Sequence, residues 1–171
     1  MVNGQLASKM TTAQAWATLA QVLDPEVPVL SVVELGIVRD VTVLGRAVSV
    51  TVTPTYSGCP ATDVIRDDIV AALTAAGADH VQVRMQLAPA WTTDWIAPEA
   101  AEKLRRYGIA PPHVSGTPLA AQPLRFHPRD LHCPRCNSPR TEQLSAFGST
   151  ACKALFRCLA CREPFEYFKP I

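Results

Sequence analysis

VSVTVTPTYSGCPATDVIRDDIVAALTAAG, residues 48–77, combines two kinds of apolar periodicity in one short stretch. Valines alternate with serine and threonine up to residue 53, as in a strand with one buried face. Beyond the loop that holds Cys59, apolar residues recur at the three- and four-residue spacing of an amphipathic helix, and Gly77 is suited to end it. A strand that leads into a helix in this way predicts an α/β domain.

The same signals continue on both sides of this segment. Thr11 and Gln14 have the spacing of a capping box, which predicts a helix whose apolar stripe comprises Ala13, Trp16, Ala17, Ala20 and Leu23. Residues 37–54 indicate two strands joined by a turn near Gly45, residues 81–87 a third strand, and residues 98–107 a short helix. The predicted fold class is therefore α/β (α+β), a small α-β-β-α-β-α domain with a three-stranded sheet.

The composition changes after residue 110. Residues 111–131 hold five prolines, which is typical of an extended linker. The remaining residues, 132–171, are rich in cysteine and aromatic residues and poor in aliphatic ones. We therefore predict a domain at 1–110, a proline-rich linker at 111–131 and a small module at 132–171.

Four cysteines of this module form two C-x-x-C pairs, Cys133 with Cys136 and Cys158 with Cys161, separated by 21 residues. Each pair can present two thiolates to one ion from a tight turn, and two pairs complete a tetrahedral shell. The pattern predicts a structural Zn²⁺ ribbon, with a four-cysteine iron or iron–sulfur site as the alternative. A thin core is expected from Phe147, Phe156, Phe165 and Phe168.

The other two cysteines, Cys59 and Cys152, lie outside these pairs. Cys59 precedes a predicted helix N-terminus, where backbone N–H groups and the helix dipole stabilise a thiolate; the alternative is an inert buried cysteine. Cys152 is either a small buried residue or a second reactive or metal-ligating thiol beside the ribbon metal.

Charge and hydropathy restrict the classes of partner. Residues 1–110 have a charge balance of −3 and residues 111–171 one of +4, which is too mild to favour nucleic acid strongly. The N-terminal residues lack the apolar region of a signal peptide, and no window approaches the length of a membrane span. We expect a cytoplasmic protein that has no membrane partner and for which nucleic acid is a poor candidate.

Several motifs resemble known families. The DPE turn at residues 24–26, the strand pair, SGCPATDVIRDDIV and the stretch at 88–112 resemble the metal–sulfur cluster biosynthesis domain of SufT-like and eukaryotic cytosolic iron–sulfur targeting proteins. With the tail SAFGSTACKALFRCLACREPFEYFKPI, the whole chain resembles the phenylacetate-degradation protein D family.

The resemblance implies a function and its residues. It implies an accessory protein without catalytic activity of its own, which matures or loads the iron–sulfur or di-iron centres of phenylacetyl-CoA epoxidase. Cys59 would transiently hold iron or an iron–sulfur cluster, with Cys152 as a further candidate thiol. Asp24, Glu26 and Glu34 would either help to hold iron or only cap and bend the chain. The ribbon would dock the partner through its aromatic tail.

Other functions stay open at this point. The chain could be a non-catalytic interaction subunit of the epoxidase, a thiol-redox protein that uses Cys59, or a nucleic-acid-binding ribbon. A catalytic oxygenase or reductase subunit is not expected, because the sequence lacks the Glu-x-x-His pairs of a di-iron bundle and a G-x-G-x-x-G nucleotide motif. The oligomeric state is left open between a monomer and a homodimer.

Overall fold

A computed structural model describes residues 10–56, 58–112 and 131–171 of the chain. Two compact units are present, Met1–Trp91 and Thr92–Ile171. Most of the predicted linker, residues 113–130, lies outside the described residues.

The first unit is built around a three-stranded sheet. Its elements in chain order are α1 (Thr12–Leu19), β1 (Val38–Leu44), β2 (Ala47–Val52), α2 (Ala61–Ala75) and β3 (His80–Met85). Strands β1 and β2 form an antiparallel hairpin, and β3 pairs with β2 in parallel, so that the strand order is β1-β2-β3. Since β2 and β3 are parallel and α2 connects them, α2 begins near the carboxyl-terminal ends of both strands.

The core of this unit lies between the sheet and its helices. Val48, Val50 and Val52 point to one face of β2 and are buried, as the alternation predicts. Helix α2 contributes Ile65 and Ile69 to the core, together with Ala61 and Leu73. The Trp91 indole N–H donates a 2.9 Å hydrogen bond to the carbonyl oxygen of Leu35. This bond fixes the end of the unit against the loop that follows α1.

The predicted capping box of α1 is present. The backbone N–H of Gln14 donates to Thr11 Oγ1 at 3.2 Å, and the backbone N–H of Thr11 donates to Gln14 Oε1 at 2.8 Å. The predicted apolar stripe of this helix is wrong, because its buried residues are Ala15 and Leu19 and the helix ends before Leu23. Alanine occurs on both the buried side of this helix (Ala15) and its exposed side (Ala13 and Ala17), and therefore carries little information about which face is buried.

The second unit begins before the ribbon. It contains α3 (Pro98–Tyr107), β4 (Ile109–Ala110), β5 (Thr141–Ser145), β6 (Lys153–Cys158) and β7 (Pro164–Phe168), which form a sheet of order β4-β7-β6-β5. Because β4 pairs with β7, the structure groups residues 92–110 with the ribbon, whereas the sequence boundary placed them in the first domain. The succession α-β-β-α-β-α and the three-stranded sheet of the predicted fold class are confirmed.

The ribbon core differs from the prediction at one aromatic residue. Phe156, Phe165 and Phe168 are buried as expected, but Phe147 is 65% exposed and Tyr167 takes its place in the core. The ring of Phe156 packs edge-on against Tyr167 at a centroid distance of 5.8 Å. Phe165, Tyr167 and Phe168 are therefore committed to the ribbon interior, which removes most of the aromatic tail as a docking surface.

Candidate functional site

Cys59 lies in the loop between β2 and α2, immediately before the helix. Pro60 is the N-cap residue of α2, and the backbone N–H of Ala61 donates to the Cys59 sulfur. Tyr56 and Thr62 also donate to this sulfur through their side chains. The sulfur is half-buried at the end of the sheet, where these three groups favour its charged form.

The electrostatic environment of Cys59 differs from the one expected at a helix N-terminus. Burial raises the pKa of the thiol above its ordinary value, and the nearby Glu26 carboxylate raises it further. Donation from Ala61, Tyr56 and Thr62 lowers the pKa but does not outweigh these effects. Burial and Glu26 thus oppose the stabilisation of a thiolate that is expected at a helix N-terminus, and they favour the protonated thiol in the metal-free chain.

The acidic residues of the DPE turn have different surroundings. Asp24 is buried, and its Oδ1 atom accepts the backbone N–H groups of Glu26 at 2.9 Å and Val27 at 2.8 Å. These bonds close the turn, so Asp24 serves as a cap. Glu26 is only partly buried and acts electrostatically on Cys59, which makes it the acidic residue that the fold brings to the thiol.

Glu34 is engaged in a second local turn. Its Oε2 atom accepts from the backbone N–H of Ser31 at 2.9 Å, and Ser31 Oγ accepts from the backbone N–H of Glu34 at 3.1 Å. This reciprocal pair has the form of a capping box. The capping alternative for Glu34 is therefore the one that its contacts support.

The hydroxyl groups of Tyr56 and Thr62 were not singled out in the sequence. Both lie within three residues of Cys59 and donate to its sulfur. Their proximity along the chain was the available signal. The direction of each side chain depends on the loop conformation, which residue spacing alone does not specify.

The four cysteines of the ribbon converge on one point. Their Sγ atoms all lie within 4.8 Å of one another, with Cys133 and Cys161 at 3.8 Å and Cys136 and Cys158 at 3.5 Å. Four sulfurs at about 2.3 Å from a tetrahedral ion are about 3.8 Å apart, so the set fits a single metal ion. The residues that the sequence predicted as metal ligands therefore form one site.

Each pair of cysteines lies in a knuckle of the same construction. The backbone N–H of Cys133 donates to the carbonyl oxygen of Ser138, and that of Cys158 donates to the carbonyl oxygen of Glu163, both at 3.0 Å. Although burial raises the pKa of Cys158, donation from the backbone N–H groups of Cys161 and Ala160 helps to lower it to about 6. Although the backbone N–H of Glu163 lowers the pKa of Cys161, burial and the neighbouring cysteine sulfurs raise it to about 12, so Cys158 rather than Cys161 is the thiol that the metal-free knuckle presents as a thiolate, the form in which cysteine binds metal.

Cys152 is not part of the metal site. It is buried, its Sγ atom lies 3.0 Å from Thr150 Oγ1, and it precedes β6, whereas Cys158 ends that strand. Six residues of extended chain span about 20 Å, which is too far for the two thiols to share an ion. The structure therefore does not bring Cys152 to the four ligand sulfurs, and its contacts support the role of a small buried residue.

Comparison with known proteins finds a matching family for a segment of each unit. Residues 12–85 match the family described as iron–sulfur cluster assembly protein, and residues 120–169 match the PaaD zinc beta ribbon domain. A protein of Escherichia coli (strain K12), described as a subunit of a "Putative 1,2-phenylacetyl-CoA epoxidase", is 52% identical over 159 residues, which cover 92% of each chain. The chain belongs to the phenylacetate-degradation protein D (PaaD) family.

Further relatives match about half of the length of this PaaD family member. A Porphyromonas gingivalis (strain ATCC BAA-308 / W83) protein named "Fe-S protein maturation auxiliary factor" is 35% identical over 88 residues, 50% of this chain and 83% of that protein. A solved structure of a conserved hypothetical protein from Thermotoga maritima has a TM-score of 0.50 and 32% identity, covering 58% of this chain and 98% of that one. Among the described residues, no helix combines the length and apolar character needed to cross a membrane.

Proposed function

We propose that this chain is an accessory protein of phenylacetate catabolism that delivers iron or an iron–sulfur cluster to phenylacetyl-CoA epoxidase. The names of the E. coli and P. gingivalis relatives support the pathway and the cargo, respectively. The observation that carries the proposal is the setting of Cys59, which is the only cysteine of residues 1–91 and is held by three donors beside Glu26. We propose no catalytic activity of its own.

Loading begins with the protonated thiol. When ferrous iron or a cluster iron binds the Cys59 sulfur, an S–Fe bond forms and the thiol proton is released. Glu26 is the nearby carboxylate on which that proton can be received before it passes to water. The resulting thiolate keeps the hydrogen bonds from Ala61, Tyr56 and Thr62, which favour the charged form of the sulfur. No electron is transferred in this step.

The bound iron or cluster can be released because this unit supplies only one thiolate ligand to it. A cargo bound to this unit through one thiolate has coordination positions available to a recipient protein. A recipient cysteine thiolate or carboxylate replaces the Cys59 sulfur on iron, and Cys59 takes up a proton again. Its raised pKa favours that return to the thiol and therefore favours release over permanent binding.

The ribbon has a structural task in this proposal. Cys133, Cys136, Cys158 and Cys161 would hold Zn²⁺, which supplies folding stability to a module with a thin core. Four protein ligands close the coordination shell, so the zinc would have no open position for chemistry. The ribbon is then a stable platform for contact with the epoxidase.

A thiol-redox function is the second candidate, and the first unit argues against it. Disulfide exchange in this unit would need a resolving cysteine, and Cys59 has none within residues 1–91. The raised pKa of Cys59 also reduces the thiolate fraction that attacks a disulfide.

The proposal is tested in a strain whose own copy of the protein is deleted. Cys59→Ser is compared with wild type and with Cys152→Ala, which removes a cysteine outside the proposed cargo site. We expect the Cys59→Ser strain to yield epoxidase with reduced iron content and activity, while the Cys152→Ala strain matches wild type wherever its protein accumulates normally. Iron-replete, active epoxidase from the Cys59→Ser strain would refute the proposal.

A further inference from the structure

The two knuckles of the ribbon place residues at equivalent positions. The fourth residue after the first cysteine of each knuckle has a left-handed backbone, Asn137 with φ 58° and Arg162 with φ 67°. Asparagine tolerates this conformation comparatively well, whereas a long side chain such as arginine adopts it at a conformational cost. Arginine at position 162 is therefore not explained by the needs of the knuckle backbone.

Two other arginines lie at the same end of the ribbon. Arg135 lies inside the first knuckle, between two ligand cysteines, and the carbonyl oxygen of Arg140 accepts a 2.8 Å hydrogen bond from Leu159 in the second knuckle. All three arginines are exposed. We call Arg135, Arg140 and Arg162 the knuckle arginines.

The knuckle arginines are not used in ion pairs within the described part of the chain. Arg157 pairs with Glu142 at 2.7 Å and Lys153 with Glu166 at 3.0 Å, so other basic residues of the ribbon are neutralised locally. Glu163, which is exposed and follows Arg162, is the acidic residue adjacent to the arginines in the sequence. A Zn²⁺ ion with four thiolates carries a net charge of −2, so the metal end is close to neutral overall, but its three exposed guanidinium groups outnumber its one exposed carboxylate.

The first unit is acidic. Its described residues contain four arginines against eight aspartates and glutamates, whereas residues 131–171 contain six basic and three acidic residues. An acidic partner would be repelled by the first unit, whereas at the knuckles its carboxylates would meet three exposed guanidinium groups. Electrostatic complementarity of this kind steers association and fixes the orientation of two proteins.

We propose that the knuckle arginines form the surface through which this chain docks on an acidic surface of a phenylacetyl-CoA epoxidase subunit. This inference rests on the proposed function, because that function names the epoxidase as recipient. Arginine suits the role since its planar guanidinium binds carboxylates in a bidentate manner and carries its charge at every physiological pH. The need for this contact would explain why a long side chain is present at position 162, where the left-handed backbone disfavours one.

Binding is measured with the full-length, zinc-loaded chain immobilised and each purified epoxidase subunit in solution, at 50 and 300 mM NaCl. The variant Arg135→Gln/Arg140→Gln/Arg162→Asn removes three charges and gives position 162 the residue of the equivalent position. The matched control, Arg39→Gln/Arg66→Gln/Arg84→Gln, removes three exposed arginines from the first unit. We expect the knuckle variant to weaken binding about 10- to 100-fold and the control less than about threefold.

A single substitution separates docking from a structural role. Arg162→Asn should raise the thermal midpoint of the ribbon, because it relieves the left-handed arginine, while it weakens binding to the epoxidase. If the arginines only balanced the charge of the four thiolates, their loss would instead release zinc, which a chromogenic chelator measures. Zinc loss, or unchanged binding by the triple knuckle variant, would overturn the inference.

Other occupants of this surface are further outcomes of the same experiment. The inference is also overturned if no epoxidase subunit binds the wild-type chain, or if the knuckle variant loses only duplex DNA binding or only self-association.

Cys59→Ser should bind the epoxidase like wild type, because docking does not use the thiol. If knuckle variants bind normally and Cys59→Ser still blocks loading, the proposed function stands without this docking surface. If Cys59→Ser loads the epoxidase normally, the proposed function fails while arginine-dependent docking stands.

Discussion

The backbone N–H of Glu26 donates a 2.9 Å hydrogen bond to Asp24 Oδ1, so one carboxylate of the DPE turn holds the residue that carries the other. Asp24 is buried and caps the turn, while the Glu26 carboxylate acts on the Cys59 thiol. The turn therefore joins a carboxylate that caps the chain to one that raises the pKa of Cys59. Separate substitutions of the two should have different consequences.

Asp24→Ala should destabilise the first unit. It removes the acceptor of two backbone N–H groups, of which that of Val27 is buried, and we expect a loss of about 1–3 kcal/mol in the free energy of unfolding. Urea unfolding followed by circular dichroism measures the loss. Asp24→Asn is the control, because its carbonyl oxygen can still accept both bonds. Equal stability of Asp24→Ala and wild type would show that the cap does not hold the turn.

Glu26→Gln should leave stability nearly unchanged and make Cys59 more reactive. Removing the negative charge lowers the pKa of Cys59, so more thiolate is present at a given pH. The rate of alkylation by iodoacetamide, measured against pH, should rise with a midpoint above the ordinary value of 9.0 in wild type and a lower midpoint in Glu26→Gln. The measurement uses a Cys152→Ala background with zinc bound. Asp40→Asn, which alters a carboxylate on β1, is the control and should not shift the profile. Identical profiles for Glu26→Gln and wild type would show that Glu26 does not act on Cys59.

Cys133→Ser and Cys161→Ser should each release the ribbon metal and unfold the module. Structural zinc is worth on the order of 10 kcal/mol in modules of this kind, and the loss of one ligand opens the shell. Metal analysis after gel filtration gives the stoichiometry. Cys152→Ala is the control and should retain the metal, because Cys152 lies at the other end of β6 from Cys158. Metal retention by a folded Cys133→Ser ribbon would show that the ligand set is different.

Lys153→Met should destabilise the ribbon by about 2–3 kcal/mol. Lys153 is buried, with its side chain 3% exposed, and its Nζ atom lies 3.0 Å from Glu166 Oε2, so the change leaves a partly buried carboxylate without its cation. Thermal unfolding in excess zinc measures this loss of stability. The double variant Lys153→Met/Glu166→Gln should recover part of it. If the losses of Lys153→Met and of Glu166→Gln alone simply added in the double variant, the ion pair would contribute nothing to stability.

Much of the fold was accessible from the sequence because each element carried a strong local signal. The alternation of Val48, Val50 and Val52, the capping box at Thr11 and the C-x-x-C pairs all correspond to features of the structure. These signals depend on neighbouring residues, whose geometry is set by the regular period of a strand, a helix or a knuckle.

The features that the sequence did not specify arise from tertiary packing. The grouping of residues 92–110 with the ribbon depends on the pairing of β4 with β7, two strands distant in the sequence. The exposure of Phe147 and the burial of Tyr167 likewise follow from the path of the ribbon strands. The sequence left Cys59 open between a stabilised thiolate and a buried thiol, because its burial and the approach of Glu26 depend on how distant parts of the chain pack around the sulfur.

The central claim is that Cys59 binds the cargo while the ribbon metal is separate from it. It is tested most directly by anaerobic iron–sulfur reconstitution of wild type and Cys59→Ser, followed by zinc, iron and sulfide analysis of the desalted proteins. We expect wild type to hold one zinc together with iron, with or without sulfide, and Cys59→Ser to hold the zinc alone. Equal iron in the two proteins, or zinc and nothing else in both, would contradict the claim.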